Sequence, residues 1–197
     1  MKLFIWTLAA IAAFGIIVFL LARGFYPVAW SWNWSVNARE FRGVLKSSMN
    51  YYGKIASLAS TSTPQTEKLM EEREKAEMRR AILDKLIENK IIDRILKQNL
   101  GKDLGKIVNQ KLINLAEEKT GTAKNLDEAV KFLYNLPYEK FKEAVLIPEI
   151  KQEILQGQLF FRGLDFTKWL AQAKNAIQPI ILLPDLYWKD GKVELKN

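Results

Sequence analysis

Across 197 residues the chain carries 30 Lys and Arg against 22 Asp and Glu, a formal net charge of +8, and it has neither Cys nor His. Disulfide frameworks, thiol nucleophiles and Cys-based zinc sites are thereby excluded, as are Ser-His-Asp triads, imidazole bases and His-metal clusters. The positive excess forms no basic block. Charges alternate in sign, as in Glu71-Glu72-Arg73-Glu74-Lys75, and neither an RNA-binding aromatic motif nor zinc-finger spacing accompanies them, so no nucleic-acid partner is expected.

Leu3 to Ala22 is an unbroken uncharged run in which only Thr7 and Gly15 are not apolar. As a helix it would be about 30 Å long, the thickness of a bilayer's hydrocarbon core. A cleaved secretory signal is the competing reading, but its apolar region runs only about 7–15 residues and ends at a small-x-small site. The candidate pairs here, Leu20 with Ala22 and Pro27 with Ala29, fit such a site poorly. Residues 1–23 are therefore expected to be a short cytoplasmic tail and a retained transmembrane signal-anchor, with residues 3–22 in the lipid bilayer. The charge count, Lys2 before the span against Arg23, Arg39 and Arg42 after it, does not favour an external C-terminal domain. The two-residue N-tail with one Lys nevertheless resembles an ordinary N-in anchor, which places the rest of the chain outside the cytoplasm at the cell membrane.

Residues 24–35 form an aromatic juxtamembrane segment. Trp30, Trp32 and Trp34 recur at every second position, so on one strand their indoles would share a face. They suit a belt at the membrane interface, and equally a strand over Trp32–Val36 whose indoles pack into the domain.

The domain proper, 36–197, reads as mainly α. A helix over 38–59 places Phe41, Leu45, Met49, Tyr52 and Ala56 on one face. After the turn cluster Ser60-Thr61-Ser62-Thr63-Pro64, a long helix runs from about Thr66 to Leu100. Its second half carries a wide apolar stripe through Ile82, Leu83, Leu86, Ile87, Ile91, Ile95 and Leu96. Gly101 stops it. A helix over 104–119 turns Ile107, Val108, Leu112 and Leu115 inward, and a short one runs from Asn125 to Tyr134. Pro137 opens another, to about Gln156, in which Pro148 predicts a kink or break. Asp165 caps a last helix over Phe166–Ile177. The end is β-like: Pro179 to Trp188, an Asp190-Gly191 hairpin turn, then Val193–Leu195. Because a two-stranded hairpin is marginal alone, Trp32–Val36 is the expected third strand, giving a small sheet that joins the domain's ends.

The order of these pieces resembles the N-terminal domain of SurA-type periplasmic chaperones and PrsA-type foldases. Val36-Asn37 followed by Arg39-Glu40-Phe41 resembles that family's opening strand and helix. Ile82-Leu83-Asp84-Lys85-Leu86-Ile87-Glu88-Asn89-Lys90-Ile91-Ile92 resembles its most recognisable helix, leu-leu-asp-x-leu-ile-x-x-lys-leu-leu. Asn125-Leu126-Asp127-Glu128 and the 141–155 helix resemble the pair that follows, so the likeness spans roughly 34–177. The family's Gly-Glu-x-Ile-Thr segment is missing. No parvulin-type isomerase domain is expected among these residues, since such domains generally use His, and the resemblance is not expected to extend to prolyl isomerase activity.

The resemblance implies a membrane-anchored, chaperone-like module that binds unfolded or nascent secreted polypeptide without catalysis or cofactor. Candidate peptide-binding residues are Phe160, Phe161, Phe166, Trp169, Tyr187 and Trp188, and the Gly157–Gly163 stretch is the best source of exposed apolar surface. For each of these aromatics the competing role is core packing, the commoner fate of such side chains. A different class, a membrane-anchored scaffold or assembly subunit pairing with another membrane protein, also fits one span followed by a long charged helix. Against it, heptads are not sustained. No enzyme is expected: Glu71-Glu72 and Glu117-Glu118 are adjacent on helices and face no common site. Gly101 to Lys106 has the wrong spacing for a phosphate loop, and no metal ligands cluster.

Overall fold

The computed structural model describes residues 18–59, 64–118 and 123–196. Most of the expected membrane span, residues 3–17, lies outside them, and among the described residues no helix is long and apolar enough to cross a membrane. Residues 18–22 are helical and stop at Gly24 in a left-handed turn, φ 74°. There the Phe25 N–H donates to Leu20 O and the Gly24 N–H to Leu21 O, the paired bonds of a Schellman end.

The chain then enters β1 (Pro27–Ser31), turns at Trp32-Asn33 and returns as β2 (Trp34–Asn37), which leads into α1 (Ala38–Ala59). Three N–H groups in the first turn of α1 would otherwise be orphaned. Ala38 donates to Tyr26 O and Arg39 to Gly24 O, while Glu40 donates to the Asn37 side chain. Asn37 is thus the N-cap, and the helix start is bonded to the segment leaving the N-terminal helix.

This hairpin corrects the reading of Trp30, Trp32 and Trp34 as neighbours on one strand. Trp30 lies opposite Ser35 on β1, Trp32 is in the turn, and Trp34 lies opposite Ser31 on β2. The reversal follows from Asn33, a residue type suited to tight turns, which interrupts the aromatic alternation.

α2 (Pro64–Leu100) is the spine of the molecule. It ends where Gly101, at φ 53°, donates to Lys97 O. α3 (Asp103–Glu118) and α4 (Ala123–Tyr134) follow, α4 being closed by Asn135 in the left-handed region. Beyond Pro137, α5 (Tyr138–Phe141), a π-helical turn (Lys142–Leu146) and α6 (Ile147–Phe161) form one uninterrupted rod. The expected break at Pro148 is replaced by this widened turn, in which Ile147 N–H reaches back to Lys142 O. Proline has no N–H and its ring crowds the carbonyl four residues earlier; widening the preceding turn relieves that crowding without ending the helix. α7 (Phe166–Asn175) starts at Asp165, whose side chain accepts from Lys168 N–H at 2.8 Å.

The small sheet does join the two ends of the domain, but through other strands than expected. β3 (Ile180–Ile181) pairs with β1, giving the order β2-β1-β3. The C-terminal hairpin, β4 (Leu186–Lys189) and β5 (Lys192–Leu195), is a separate two-stranded sheet across Asp190-Gly191. β1 itself is central, with β2 on one side and β3 on the other.

The stripe of α2 serves two cores in succession. Leu83, Leu86, Ile87 and Ile91 pack with Val28, Val36, Phe41, Leu186 and Val193 under the strands. Ile92 and Leu96 pack with Leu104, Val108, Ile150, Leu155 and Leu159 between α3 and α6. Lys174, buried on α7, fastens the first core from the side: its ammonium meets Asp84 at 2.7 Å and Glu88 at 2.8 Å. Asp84 also accepts from Val193 N–H at 3.1 Å, so one carboxylate holds both α7 and β5 to α2. Burial of such charges is tolerable because each is paired and hydrogen-bonded.

Candidate functional site

The six aromatic residues singled out from the sequence do not form one surface. Phe160 and Phe161, at the C-terminal end of α6, are 78% and 90% exposed, with ring centroids 6.1 Å apart in an edge-to-face arrangement. Gly163, at φ 69°, closes the helix beneath them: Leu164 N–H donates to Leu159 O and Gly163 N–H to Phe160 O. Leu159 is buried in the second core, so the rings stand on an anchored helix end rather than on a loose loop. Leu164 adds further exposed apolar surface.

The other four are packing residues in whole or part. Phe166 and Trp169 lie against the second core. Trp188 lies against the first, and its indole N–H donates to Ile177 O at 3.2 Å. Tyr187, opposite Glu194 on the hairpin, is half-buried. Of the tryptophans assigned to the membrane interface, Trp32 at the hairpin tip is 91% exposed and Trp30 is exposed, whereas Trp34 packs against the first core.

A second apolar surface was not read from the sequence. α1, the middle of α2 and the π-helical turn enclose a groove of about 530 Å³. Val44 and Tyr52 form one wall, Met78 and Leu86 the floor, and Val145 with Pro148 the other wall. The volume is within the usual range for ligand clefts, about 300–1,000 Å³. Asn89 lines it as well, and the Asn89 side-chain carbonyl oxygen is buried without a hydrogen-bond donor. Beside the groove Tyr51 stacks on Tyr134 at 5.0 Å, and Tyr134 meets Phe141 at 4.9 Å, tying α1 to α4 and α5. Burial, with the neighbouring Tyr51 and Glu149, pushes the Tyr134 phenol above its ordinary pKa. The one trace of the groove in the sequence is Pro148, whose poor fit in an α-helix signals the widened turn that forms the wall.

Chemically the two surfaces offer apolar and aromatic contact. Ser48, Glu77, Arg80, Lys85 and Glu149 line the groove as well, Glu77 being paired with Arg80 at 2.7 Å. Among the described residues no three acidic side chains gather closely enough to hold a metal ion. No family model, curated protein or solved structure matches the chain.

Proposed function

We propose that this chain is a membrane-anchored, non-catalytic module on the extracytoplasmic side that binds unfolded or extended polypeptide. The observation that carries the reading is the Phe160–Phe161 pair, almost fully exposed on a capped helix end. Leaving two large rings in water forgoes about 25 cal/mol per Å² of apolar burial, and contiguous apolar surface of this kind marks a place where something docks. An unfolded chain supplies matching apolar side chains in any order. The likeness of residues 82–92 to the SurA-type helix supports the same reading. Tethering through residues 3–22 would hold the binder where polypeptides leave the membrane, raising effective concentration without new contacts.

The test is suppression of aggregation by the full chain in lipid nanodiscs, with light scattering of a chemically unfolded reporter protein as readout. Suppression at substoichiometric to equimolar ratios, insensitive to salt, is expected, and Phe160→Ser with Phe161→Ser should reduce it at unchanged thermal stability. An inactive wild type overturns the reading and leaves the assembly-subunit alternative, to be pursued through a stable membrane-protein partner.

A further inference from the structure

We propose that Arg23, Arg39 and Arg42 form a collar that binds the phosphate groups of anionic phospholipids, an inference that rests on the membrane anchoring proposed above. The three arginines come from two elements whose backbones are bonded to each other at one corner. Arg39 N–H donates to Gly24 O at 2.8 Å and Ala38 N–H to Tyr26 O at 2.9 Å, so the first turn of α1 is bonded to the exit of the N-terminal helix. Gly24 is buried there, and a methyl group in place of its hydrogen would come within 3.2 Å of the Arg39 nitrogen. The chain leaves the apolar helix and meets α1 in close backbone contact.

Each guanidinium lies over an aromatic ring. Arg23 is 4.4 Å from the Phe19 centroid, Arg39 is 5.5 Å from Phe25, and Arg42 is 5.6 Å from Tyr26 and also donates to its hydroxyl. Stacking occupies the face of a guanidinium and leaves N–H donors along its edge, the arrangement that suits a phosphate. No carboxylate among the described residues neutralises them. The nearest in sequence, Glu40, is taken by Lys90 at 2.9 Å. All three arginines are exposed. The N-terminus of α1 adds its positive pole at the same corner; its first three N–H groups are satisfied internally, so it contributes field rather than donors.

Lipid is favoured as occupant by what lies beside the charges. Val18 to Leu21 and Phe25 are exposed and apolar, all within five residues of Arg23. A ligand covering the whole corner needs an anionic head and a hydrocarbon tail. A phospholipid has both, whereas free phosphate could engage only the arginines.

The experiment is electron spin resonance on the full chain reconstituted in phosphatidylcholine vesicles, doped with spin-labelled phosphatidylglycerol or spin-labelled phosphatidylcholine. A bilayer-embedded chain produces a motionally restricted component with either label, which reports the anchor. The collar is reported by the preference for phosphatidylglycerol, expected to be about threefold or more at low salt and to fall in high salt. Arg23→Gln, Arg39→Gln and Arg42→Gln together should bring the ratio close to one while the restricted component with phosphatidylcholine persists. A restricted component with no preference in the wild type overturns the collar and leaves the anchor standing. Absence of that component with both labels overturns both. A wild-type ratio near one overturns the collar without any variant, and Arg39→Gln with Arg42→Gln, which leaves the end of the N-terminal helix intact, should lower the ratio where the triple substitution does not fold.

Discussion

Two ammonium groups converge on Asp93 of α2: Lys97 one turn further along at 2.7 Å, and Lys151 from α6 in a closer contact. Partial burial pushes the carboxyl's pKa up, but the two lysines outweigh it and hold it below the ordinary carboxylate value. A group depressed in the folded state stabilises above its unfolded pKa, about 3.9, and the contribution disappears as pH falls through the folded value. Asp93→Asn should therefore cost about 1 kcal/mol at neutral pH, where Lys97 is largely solvated and Lys151 is not. The gap to wild type should narrow below about pH 4. Urea midpoints from pH 7 down to pH 3 measure this, and a gap independent of pH would show that the pairs do not stabilise the fold. At this scale the sequence is only partly informative. Phe160 and Phe161 could be read as exposed because glycines flank them. Phe166, Trp169 and Trp188 look alike in the sequence but are half-buried against the two cores, whose α2 residues lie far away along the chain. Asp84 belongs to a helix whose apolar spacing is obvious, yet its bond to Val193 N–H crosses 109 positions and leaves no local signature.

Elements whose ends are set by local chemistry agree with their sequence signals: Gly101 after α2, Asp165 before α7, Asp190-Gly191 between β4 and β5. The hairpin turn has both central residues in the left-handed region, φ 48° and 75°. Strand pairing, which local chemistry does not set, departed from expectation: the Trp32-Asn33 reversal puts β2 on the sheet edge, and β1 takes β3 as its partner. Gly163 at the end of α6 and Gly191 in the hairpin turn allow a comparison that separates backbone strain from crowding. An L-residue pays about 1–2 kcal/mol in the left-handed region. Gly163 has open space where a Cβ would stand, so Gly163→Ala should cost about that and no more. At Gly191 the added atom would lie 2.4 Å from the Asn175 side-chain oxygen at the end of α7 and 3.3 Å from its backbone nitrogen. Gly191→Ala must carry the same strain and also displace that side chain. Chemical denaturation of the two variants should place Gly191→Ala below Gly163→Ala, and equal losses would mean that the Asn175 contact yields freely.

At the scale of the whole molecule the question is whether two cores make one folding unit. The first holds the strands, α1 and the hairpin; the second holds α3, α6 and α7's aromatic face. α2 runs through both without a glycine or proline between Leu83 and Leu96, and a helix broken between Ile91 and Ile92 would strand two buried side chains at the seam. α7 bridges as well, giving Phe166 and Trp169 to the second core and Lys174 to Asp84 and Glu88 at the first. With the spine and a crosspiece shared, opening either core exposes the other, and the molecule should unfold in one step. Leu96→Ala removes a fully buried side chain of the second core and should cost about 2–5 kcal/mol. Its effect should be read equally at a distance. In hydrogen-exchange mass spectrometry under conditions where exchange proceeds through global opening, peptides of β4–β5 should lose as much protection as peptides of α6. Loss confined to α3 and α6, with the hairpin unchanged, would instead mean that α2 can fray from its C-terminal half and that the strands around Gly24 and Arg39 fold on their own.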